Sequence, residues 1–269
     1  MTTLEARGLV KDYRLRDGMR SKRLRAVDDV SFTLEPGRTV ALVGQSGSGK
    51  STIAKLLLQL ERPSAGEIRL DGSPVRRRGA GLASYRRTVQ MVFQDPFASL
   101  NPFHSIGHHL ERPLRLHHPG LSKAEIGRRV LQLLERVRLT PAGNVAGRRP
   151  HELSGGQRQR VAIARALAPE PGILIADEPV SMLDVSIRLG VLNLLATLQR
   201  EEDLGVLYIT HDLATARHFA DEILVMHRGS IVERGPADDV ILRPRHDYTK
   251  TLAAAAPNPE RRISELRGS

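Results

Sequence analysis

Apolar and polar positions follow two patterns along this chain of 269 residues: short apolar runs typical of strands, and apolar residues at helical spacing. Near the start, short apolar runs flank the turn Glu35-Pro36-Gly37, and "GEIRLDG" is another short run between glycines, so strands are predicted here. Residues 16–25 ("RDGMRSKRLR") interrupt these runs and predict a polar, basic loop. From Ser51, "STIAKLLLQL" repeats apolar residues at helical spacing and predicts a helix.

The middle of the chain has the pattern of an amphipathic helix. In "SKAEIGRRVLQLLERVRL", Ser122 can serve as the N-cap and Glu125 as its capping-box partner. After Ser154, helical patterns alternate with the apolar runs "GILIADE", "GVLYIT" and "EILVMH". This alternation is typical of a parallel sheet that is covered by helices on both faces.

These patterns predict an α/β fold in three parts. The core is predicted from residues 1–95 and 158–235, a helical subdomain from residues 96–157, and a short C-terminal extension from residues 236–269. The sequence contains no internal repeat or low-complexity tract that would suggest a different division.

Composition is typical of a soluble globular protein. Apolar residues make up 40% and charged residues 26% of the sequence, and no apolar run approaches the roughly eighteen residues of a membrane helix. The first residues lack the apolar core of a signal peptide, so we expect a cytosolic chain. The absence of cysteine excludes disulfides, cysteine-bound zinc and iron–sulfur clusters.

The net charge of +11 is compatible with a polyanionic partner, either nucleic acid or an anionic membrane surface. A general preference for arginine would give the same charge without a functional meaning. Only 3% of the residues are aromatic and none is tryptophan, so side chains that could stack on bases are scarce. Charge alone therefore assigns no function.

The segment "GQSGSGKST" matches the phosphate-loop pattern G-x-x-x-x-G-K-[ST] between an apolar strand and a helix. Its glycines let the backbone approach phosphates, and the helix start offers free N–H groups to an anion. Lys50 is expected to reach the β- and γ-phosphates, and the Ser51 hydroxyl to bind Mg²⁺. A glycine-rich turn with an incidental lysine is the structural alternative. The predicted ATP-binding residues in this segment are Gly44, Gln45, Ser46, Gly47, Ser48, Gly49, Lys50, Ser51 and Thr52.

Two carboxylates follow an apolar strand in "ILIADEP". Asp177, at the end of that strand, is suited to hold Mg²⁺ directly or through water. Glu178 is placed to orient or deprotonate a water that attacks the γ-phosphate. An acidic pair can also cap a turn after a buried strand, but the phosphate loop in the same chain favours the catalytic interpretation.

A second anion-binding pattern lies about a hundred residues after the phosphate loop. "LSGGQRQR", residues 153–160, begins a helix with a serine and two glycines, so a hydroxyl and free N–H groups are available to a phosphate. A serine-capped helix with a flexible start is the structural alternative. The run Leu-Ser-Gly-Gly-Gln resembles the signature motif of ABC-type ATPases in full.

The resemblance extends along the chain in the order of that family. It implies a P-loop ATPase core with a mostly parallel sheet, an N-terminal antiparallel β part, an inserted α-helical subdomain and a short C-terminal extension. In the resemblance, Tyr13 takes the position of an aromatic residue that stacks on adenine. Gln94 takes the position of a glutamine that contacts Mg²⁺ or the attacking water. Asp184 in "SMLD" resembles the loop that contacts the other subunit, and His211 resembles the histidine that binds the γ-phosphate.

The predicted site therefore combines residues from the sequence motifs with residues implied by the resemblance to ABC-type ATPases. The predicted catalytic residues are Gln94, Glu178 and His211. The predicted Mg²⁺ ligands are Ser51, Gln94 and Asp177. ATP and Mg²⁺ are the implied cofactors.

In this family two ATPase subunits face each other head to tail, and each ATP lies between the phosphate loop of one and the signature helix of the other. The resemblance implies that the start of the signature helix contacts ATP held by a second subunit, identical or homologous. The residues concerned are Ser154, Gly155, Gly156 and Gln157. Further implied partners are transmembrane permease subunits and, indirectly, an external solute-binding protein. The implied location is peripheral, on the cytoplasmic face of the inner membrane, and no nucleic-acid partner is expected.

Three further segments resemble the oligopeptide, dipeptide and nickel importer branch of the family: "QDPFASLNP", the tail "RHDYTKTLAAAAPNP" and the basic stretch at residues 16–25. Asp247 replaces the proline usual in that tail, and a chain without cysteine cannot carry the iron–sulfur cluster of some branch members.

The resemblance implies an ATP-hydrolysing subunit that energises an importer, with di- or oligopeptides as the expected cargo. A non-transport ATPase acting on nucleic acid or ribosomes is the alternative, and an exporter is a third interpretation.

Five histidines lie in the predicted helical subdomain. Histidines four apart share a helix face, so a metal site is conceivable, yet no carboxylate or cysteine accompanies them at matching spacing. We therefore predict solvated surface histidines. They are His104, His108, His109, His117 and His118.

Overall fold

A computed structural model describes residues 2–17 and 20–255 of the chain. The strands are β1 (Leu4–Asp17), β2 (Arg20–Leu34), β3 (Thr39–Val43), β4 (Ala65–Leu70), β5 (Ser73–Pro74), β6 (Val89–Val92), β7 (Ile173–Asp177), β8 (Gly205–Thr210), β9 (Glu222–His227) and β10 (Ser230–Pro236). The helices are α1 (Lys50–Leu57), α2 (Gly79–Thr88), α3 (Pro96–Ser99), α4 (Ile106–His117), α5 (Lys123–Arg136), α6 (Ala142–Gly147), α7 (Gly155–Leu167), α8 (Val185–Glu201), α9 (Leu213–Phe219), α10 (Ala237–Leu242) and α11 (Asp247–Ala255), with a 3₁₀ turn at Pro150–Glu152.

The strands form one mostly parallel and one antiparallel sheet. The larger sheet has the order β10-β9-β3-β8-β7-β6, in which β10 runs antiparallel to β9 and the other neighbours are parallel. The smaller sheet has the order β2-β1-β4-β5 with antiparallel neighbours. The predicted α/β class, with a mostly parallel core and an antiparallel N-terminal part, is confirmed.

Each face of the parallel sheet is covered by its own hydrophobic cluster. One cluster joins the sheet to the antiparallel strands and to α1, with Leu9, Leu42 and Leu56 fully buried. The other joins the sheet to the helices that follow β6, with Leu110 and Leu134 fully buried. Because both faces are covered, β3, β7 and β8 consist almost entirely of buried residues and carry continuous apolar sequences.

Local signals set the starts of two central helices. The Ser122 hydroxyl accepts a hydrogen bond from the Glu125 N–H (3.3 Å), and the Glu125 carboxylate accepts one from the Ser122 N–H (2.8 Å), so α5 has the predicted capping box. Ser154 and Gln157 form the same arrangement at the start of α7. The elements predicted after Ser154 are confirmed as α7, β7, α8, β8, α9 and β9.

The predicted loop at residues 16–25 is wrong. β1 continues to Asp17 and β2 begins at Arg20, so most of this segment belongs to a long antiparallel hairpin. Asp12 on β1 forms ion pairs with both Arg23 and Arg25 on β2. Cross-strand pairs of opposite charge stabilise a hairpin whose polar sequence resembles that of a loop.

The C-terminal extension is described as far as residue 255, and it forms α10 and α11. The division into core, helical subdomain and extension stays a prediction, and its boundary at residues 157/158 falls inside α7. In the part of the chain that the structure describes, no helix combines the length and the apolar character needed to cross a membrane.

Candidate functional site

The phosphate loop joins β3 to α1 near the centre of the parallel sheet. Gly47 and Gly49 have φ values of 79° and 114°, a region that residues with side chains rarely adopt. A Cβ on Gly49 would also lie 2.5 Å from the Ala26 carbonyl oxygen of β2. A Cβ on Gly44 would overlap with the Met226 carbonyl oxygen of β9. The loop therefore requires glycine where it passes between β2 and β9.

Lys50 begins α1 and is buried, with its ammonium group folded against the loop. Its Nζ donates hydrogen bonds to the carbonyl oxygens of Gly44 (2.6 Å) and Gln45 (3.0 Å). Burial lowers the pKa of the Lys50 ammonium, and the nearby carboxylates of Glu178 and Asp177 oppose this shift. A buried cation with neutral carbonyl partners gains a stronger, charge-assisted bond when an anion replaces one of them.

A cavity of about 980 Å³ lies against the phosphate loop. Its walls come from β1, β2, the loop with α1, the segments after β6, β7 and β8, and α11. Small-molecule sites usually measure about 300–1,000 Å³, so the cavity has room for a nucleotide. The predicted residues that line it are Tyr13, Gln45, Ser46, Gly47, Gly49, Lys50, Ser51, Thr52, Gln94, Glu178 and His211.

Gly44 and Ser48, two other predicted members of the loop, are buried beneath this wall. Ser48 is 6% exposed, and its carbonyl oxygen accepts a hydrogen bond from the Gly229 N–H (2.9 Å) after β9. Ser48 is thus bonded to the segment after β9, Gly44 packs against Met226 of β9, and neither residue lines the cavity.

Glu178 lies where the segments after β6, β7 and β8 meet. Its Oε2 accepts a hydrogen bond from the Gln94 side-chain amide (3.1 Å). Its Oε1 lies 3.1 Å from Nδ1 of His211. The structure thus brings the three predicted catalytic residues together from three different strand ends, at the wall of the cavity beside the phosphate loop.

The backbone of Glu178 is also held in place. Its φ of 43° lies in the left-handed region, which is uncommon for a residue with a side chain. The Glu178 N–H donates to the Ile209 carbonyl oxygen of β8 (2.9 Å), and the Ser181 hydroxyl donates to the Glu178 carbonyl oxygen (3.1 Å). Bonds on both sides of the residue hold this uncommon conformation and fix the direction of the carboxylate.

Asp177 ends β7 next to Glu178. Burial raises the pKa of its carboxyl, Glu178 raises it further, and Lys50 lowers it. A divalent cation would relieve the repulsion between these two carboxylates. Among the described residues, no group of three or more His, Cys, Asp or Glu side chains is arranged to hold a metal. A Mg²⁺ site here would combine Asp177 with the neutral oxygens of Ser51 and Gln94 and with water, a donor set that Mg²⁺ accepts.

Tyr13 lines an apolar part of the cavity with Leu24 and Ala26 of β2. Its hydroxyl donates to Oε2 of Glu61 (2.6 Å), and Lys11 forms an ion pair with the same oxygen (3.0 Å). Burial raises the pKa of the Tyr13 hydroxyl, and the Glu61 carboxylate raises it further. Tyr13 therefore lines the cavity with its hydroxyl bonded to Glu61.

The signature segment lies outside this cavity. The Ser154 hydroxyl accepts a hydrogen bond from the Gln157 N–H (3.3 Å), and the Gln157 side-chain oxygen accepts one from the Ser154 N–H (3.0 Å). Ser154 is exposed, and a hydroxyl that accepts a bond in a cap can still donate its proton. Asp184, exposed at the start of α8, is also absent from the cavity wall. The structure therefore separates residues 154–157 and Asp184 from the catalytic group.

Gly156 allows α7 to pack closely on α8. A Cβ at this position would lie 2.5 Å from Cγ2 of Ile187. A Cβ on Gly155 would lie 3.4 Å from Cδ2 of Leu183, which is ordinary contact. Leu183 and Ile187 flank Asp184, so the signature helix and the predicted dimer loop are in direct contact.

Gly156→Ala should lower the free energy of unfolding by about 1–3 kcal/mol, because the new methyl group overlaps with a branched side chain that cannot swing away. Urea unfolding of the purified chain measures this change. Gly155→Ala is the matched control and should change the free energy of unfolding by less than about 1 kcal/mol. Equal losses for the two variants would contradict the close approach of α7 and α8.

Of the five histidines of the helical segment, His104 is exposed as predicted, three are partly exposed and His109 is buried. The rings of His104 and His108 stack with centroids 4.1 Å apart. His109 is buried, its Nε2 lies 3.0 Å from the Asn101 carbonyl oxygen, and burial lowers the pKa of its imidazole. The prediction of a solvated surface histidine is wrong for His109, because it lies on the face of α4 that packs into the core.

Part of the C-terminal extension reaches the site, a contact that was not predicted from the sequence. Leu252 and Ala255 of α11 line the cavity, and the Tyr248 hydroxyl accepts a hydrogen bond from the Gln45 N–H (3.1 Å). Long-range packing brings α11 to the loop, and no local pattern in the tail marks this contact.

Comparisons with known proteins find relatives that all belong to one family. Residues 27–181 match the family described as ABC transporter. The chain is 48% identical over 258 residues to the glutathione import ATP-binding protein GsiA of Salmonella typhimurium, and the match covers 94% of this chain but only 41% of GsiA. It is 44% identical over 269 residues to the dipeptide transport ATP-binding protein DppF of Escherichia coli K12, covering 98% of this chain and 80% of DppF. The dimeric structure of the ATP-binding cassette MJ0796 bound to ADP and Pi is similar with a TM-score of 0.75 and 32% identity, covering 87% of this chain and 98% of that one.

Proposed function

Because the chain belongs to the ABC transporter family, we propose that it is the ATP-binding and ATP-hydrolysing subunit of an importer for di- or oligopeptides. The observation that carries the proposal is the meeting of Gln94, Glu178 and His211 at one cavity with a phosphate loop. GsiA is named for glutathione import and DppF for dipeptide transport, and these names support the peptide class of cargo.

The nucleotide would lie along the cavity wall. Its adenine stacks on the ring of Tyr13, which Glu61 holds by the hydroxyl. Its phosphates accept hydrogen bonds from the N–H groups at the start of α1 and from the Lys50 ammonium. Ser51, Gln94 and Asp177 would hold Mg²⁺, which neutralises phosphate charge when bound.

Hydrolysis would use Glu178 as the base. The Glu178 carboxylate accepts a proton from a water whose oxygen attacks the γ-phosphorus, and the bond between that phosphorus and the bridging oxygen breaks to give ADP and inorganic phosphate. Gln94 orients the carboxylate through its amide. The His211 Nδ1 lies 3.1 Å from the Glu178 carboxylate, and its Nε2 would face the γ-phosphate.

Two such subunits, identical or homologous, would complete each other's sites. Ser154 supports this arrangement, because its exposed hydroxyl lies at a helix start that does not line the subunit's own cavity. ATP then stabilises the closed pair more than the open pair, and hydrolysis removes that difference. Transmembrane permease subunits would receive the motion and hold the chain at the cytoplasmic face of the membrane, and an external binding protein would deliver the cargo.

The proposal is tested by purifying the tagged chain from native membranes and measuring what accompanies it. We expect a polytopic permease and a second ATPase subunit, with MgATP hydrolysis that dipeptides or oligopeptides stimulate after reconstitution with the binding protein. A preparation that hydrolyses no ATP with any of these partners would contradict the proposed function. Recovery with ribosomes in place of membrane proteins would favour the non-transport alternative.

The positive charge gives a separate prediction about nucleic acid. We expect duplex DNA to bind this chain only at low salt, because attraction that depends on net positive charge alone is screened by salt. A fluorescence titration between about 50 and 200 mM salt measures the slope of affinity against salt. Tight binding at the upper salt concentration would instead support the alternative function on nucleic acid.

A further inference from the structure

Tyr248 connects the C-terminal extension to the phosphate loop. Its hydroxyl oxygen accepts a hydrogen bond from the backbone N–H of Gln45 (3.1 Å). The two residues are 203 positions apart in the sequence, so the contact depends on the tertiary structure. Gln45 directly follows the first glycine of the loop.

The Tyr248 ring and the start of α11 are held by contacts with β9, β10 and the core. Its ring packs on the imidazole of His227 at the end of β9, with ring centroids 3.9 Å apart and an angle of 34° between the planes. The carboxylate of Glu233 on β10 accepts hydrogen bonds from the N–H groups of Arg245 (2.8 Å) and His246 (3.0 Å) just before α11. One turn after Tyr248, Leu252 is buried in the core. The hydroxyl therefore has a fixed position relative to the sheet.

The Gln45 peptide group also bonds to the lysine of the site. Its carbonyl oxygen accepts hydrogen bonds from the Lys50 ammonium (3.0 Å) and from the Ser48 N–H (3.2 Å). One residue is thus bonded to the extension through its N–H and to the phosphate-binding cation through its carbonyl oxygen. The loop that follows contains Gly47 and Gly49, whose wide conformational freedom must be restricted before it can bind phosphate.

We propose that Tyr248 is a positioning residue for the phosphate loop: it holds the Gln45 peptide, and through it Lys50, in the arrangement that receives the nucleotide. The proposal rests on the nucleotide-binding function proposed above and assigns to the C-terminal extension a part in that site. Holding the loop before binding reduces the ordering that the nucleotide must impose, so the expected effect is on affinity and not on the chemical step.

Tyr248→Phe tests the proposal because it removes one oxygen and leaves the ring on His227. We expect the Kd of the full chain for MgADP, and the KM for MgATP of the assembled transporter, to rise about three- to tenfold, the range set by one hydrogen bond. The kcat should stay within about twofold, and the melting temperature without nucleotide should change by less than about 2 °C. Amide hydrogen exchange at Gln45 and the loop after it should become faster.

Two further variants separate positioning from a general effect on α11. Lys250→Ala changes an exposed residue of the same helix and should leave the MgADP Kd unchanged. Gln45→Pro removes the donor N–H, so adding Tyr248→Phe to it should cause no further loss of affinity. A Tyr248→Phe Kd within about 1.5-fold of the wild-type value, or fully additive losses in this cycle, would overturn the proposal. A wild-type chain that binds neither ADP nor ATP would instead overturn the proposed function.

Discussion

Glu178→Gln should lower the rate of MgATP hydrolysis by about a hundredfold to ten-thousandfold while ATP affinity stays within a few-fold of wild type. An amide has nearly the same shape as the carboxylate and can still accept the hydrogen bond from Gln94, but it cannot take a proton from the attacking water. The nucleotide therefore binds and is not consumed. Phosphate release measures the rate, and size-exclusion chromatography with MgATP should show an accumulated dimer.

The control for this variant is Glu170→Gln, which changes an exposed carboxylate that pairs with Arg129 outside the cavity. It should hydrolyse ATP at the wild-type rate. If Glu178→Gln also retained wild-type turnover, Glu178 would not be the base, and the contacts to Gln94 and His211 would need another explanation. A loss of ATP binding in this variant would point to a damaged site and not to a missing proton acceptor.

Ser154→Arg should reduce hydrolysis by about a hundredfold to a thousandfold, the loss expected when donors to a phosphate are removed, while ATP binding by the subunit itself stays within about twofold. The reason is position: Ser154 is exposed and lies outside the cavity of its own subunit. A bulky cation at this helix start would block the partner's phosphates from the N–H groups. Equilibrium binding to the monomer and steady-state hydrolysis by the dimer measure the two effects separately.

Ser122→Arg provides an unusually close control, because Ser122 caps α5 with the same capping box that Ser154 forms at α7. Both substitutions lose an N-cap, which costs about 1 kcal/mol of stability. Only the variant at Ser154 should lose hydrolysis. Equal activity of the two variants, or full hydrolysis by an isolated Ser154→Arg monomer, would rule out a site shared between subunits.

Much of the site could be predicted because its chemistry is local in the sequence. The phosphate loop needs glycines at fixed spacing, and Gly47 and Gly49 do adopt the left-handed conformations that explain them. The family assigned from "LSGGQRQR" is confirmed by the match over residues 27–181. The roles given to Glu178 and His211 stay predictions, although the structure brings their side chains to within 3.1 Å.

The rest could not be predicted because it depends on contacts between distant segments. The pairing of residues 16–17 and 20–25 as strands is favoured by ion pairs from Asp12 across the strands, and a loop and a polar strand pair have the same composition. His109 is polar, yet the orientation of α4 buries it. The bond between Tyr248 and Gln45 requires that a helix at one end of the chain reach a loop near the other.

The order of strands in the parallel sheet determines when β3 can pair with its neighbours during synthesis of the chain. β3, which leads into the phosphate loop, lies between two strands that are synthesised far later, with Thr39 beside Val206 and Val40 beside Glu222. When the ribosome has just produced the loop, neither neighbour exists, and Gly44 has no Met226 to pack against. Pairing over such distances along the chain is slow and must wait for the later segments. The phosphate loop can therefore reach its described arrangement only after β8 and β9 have been synthesised.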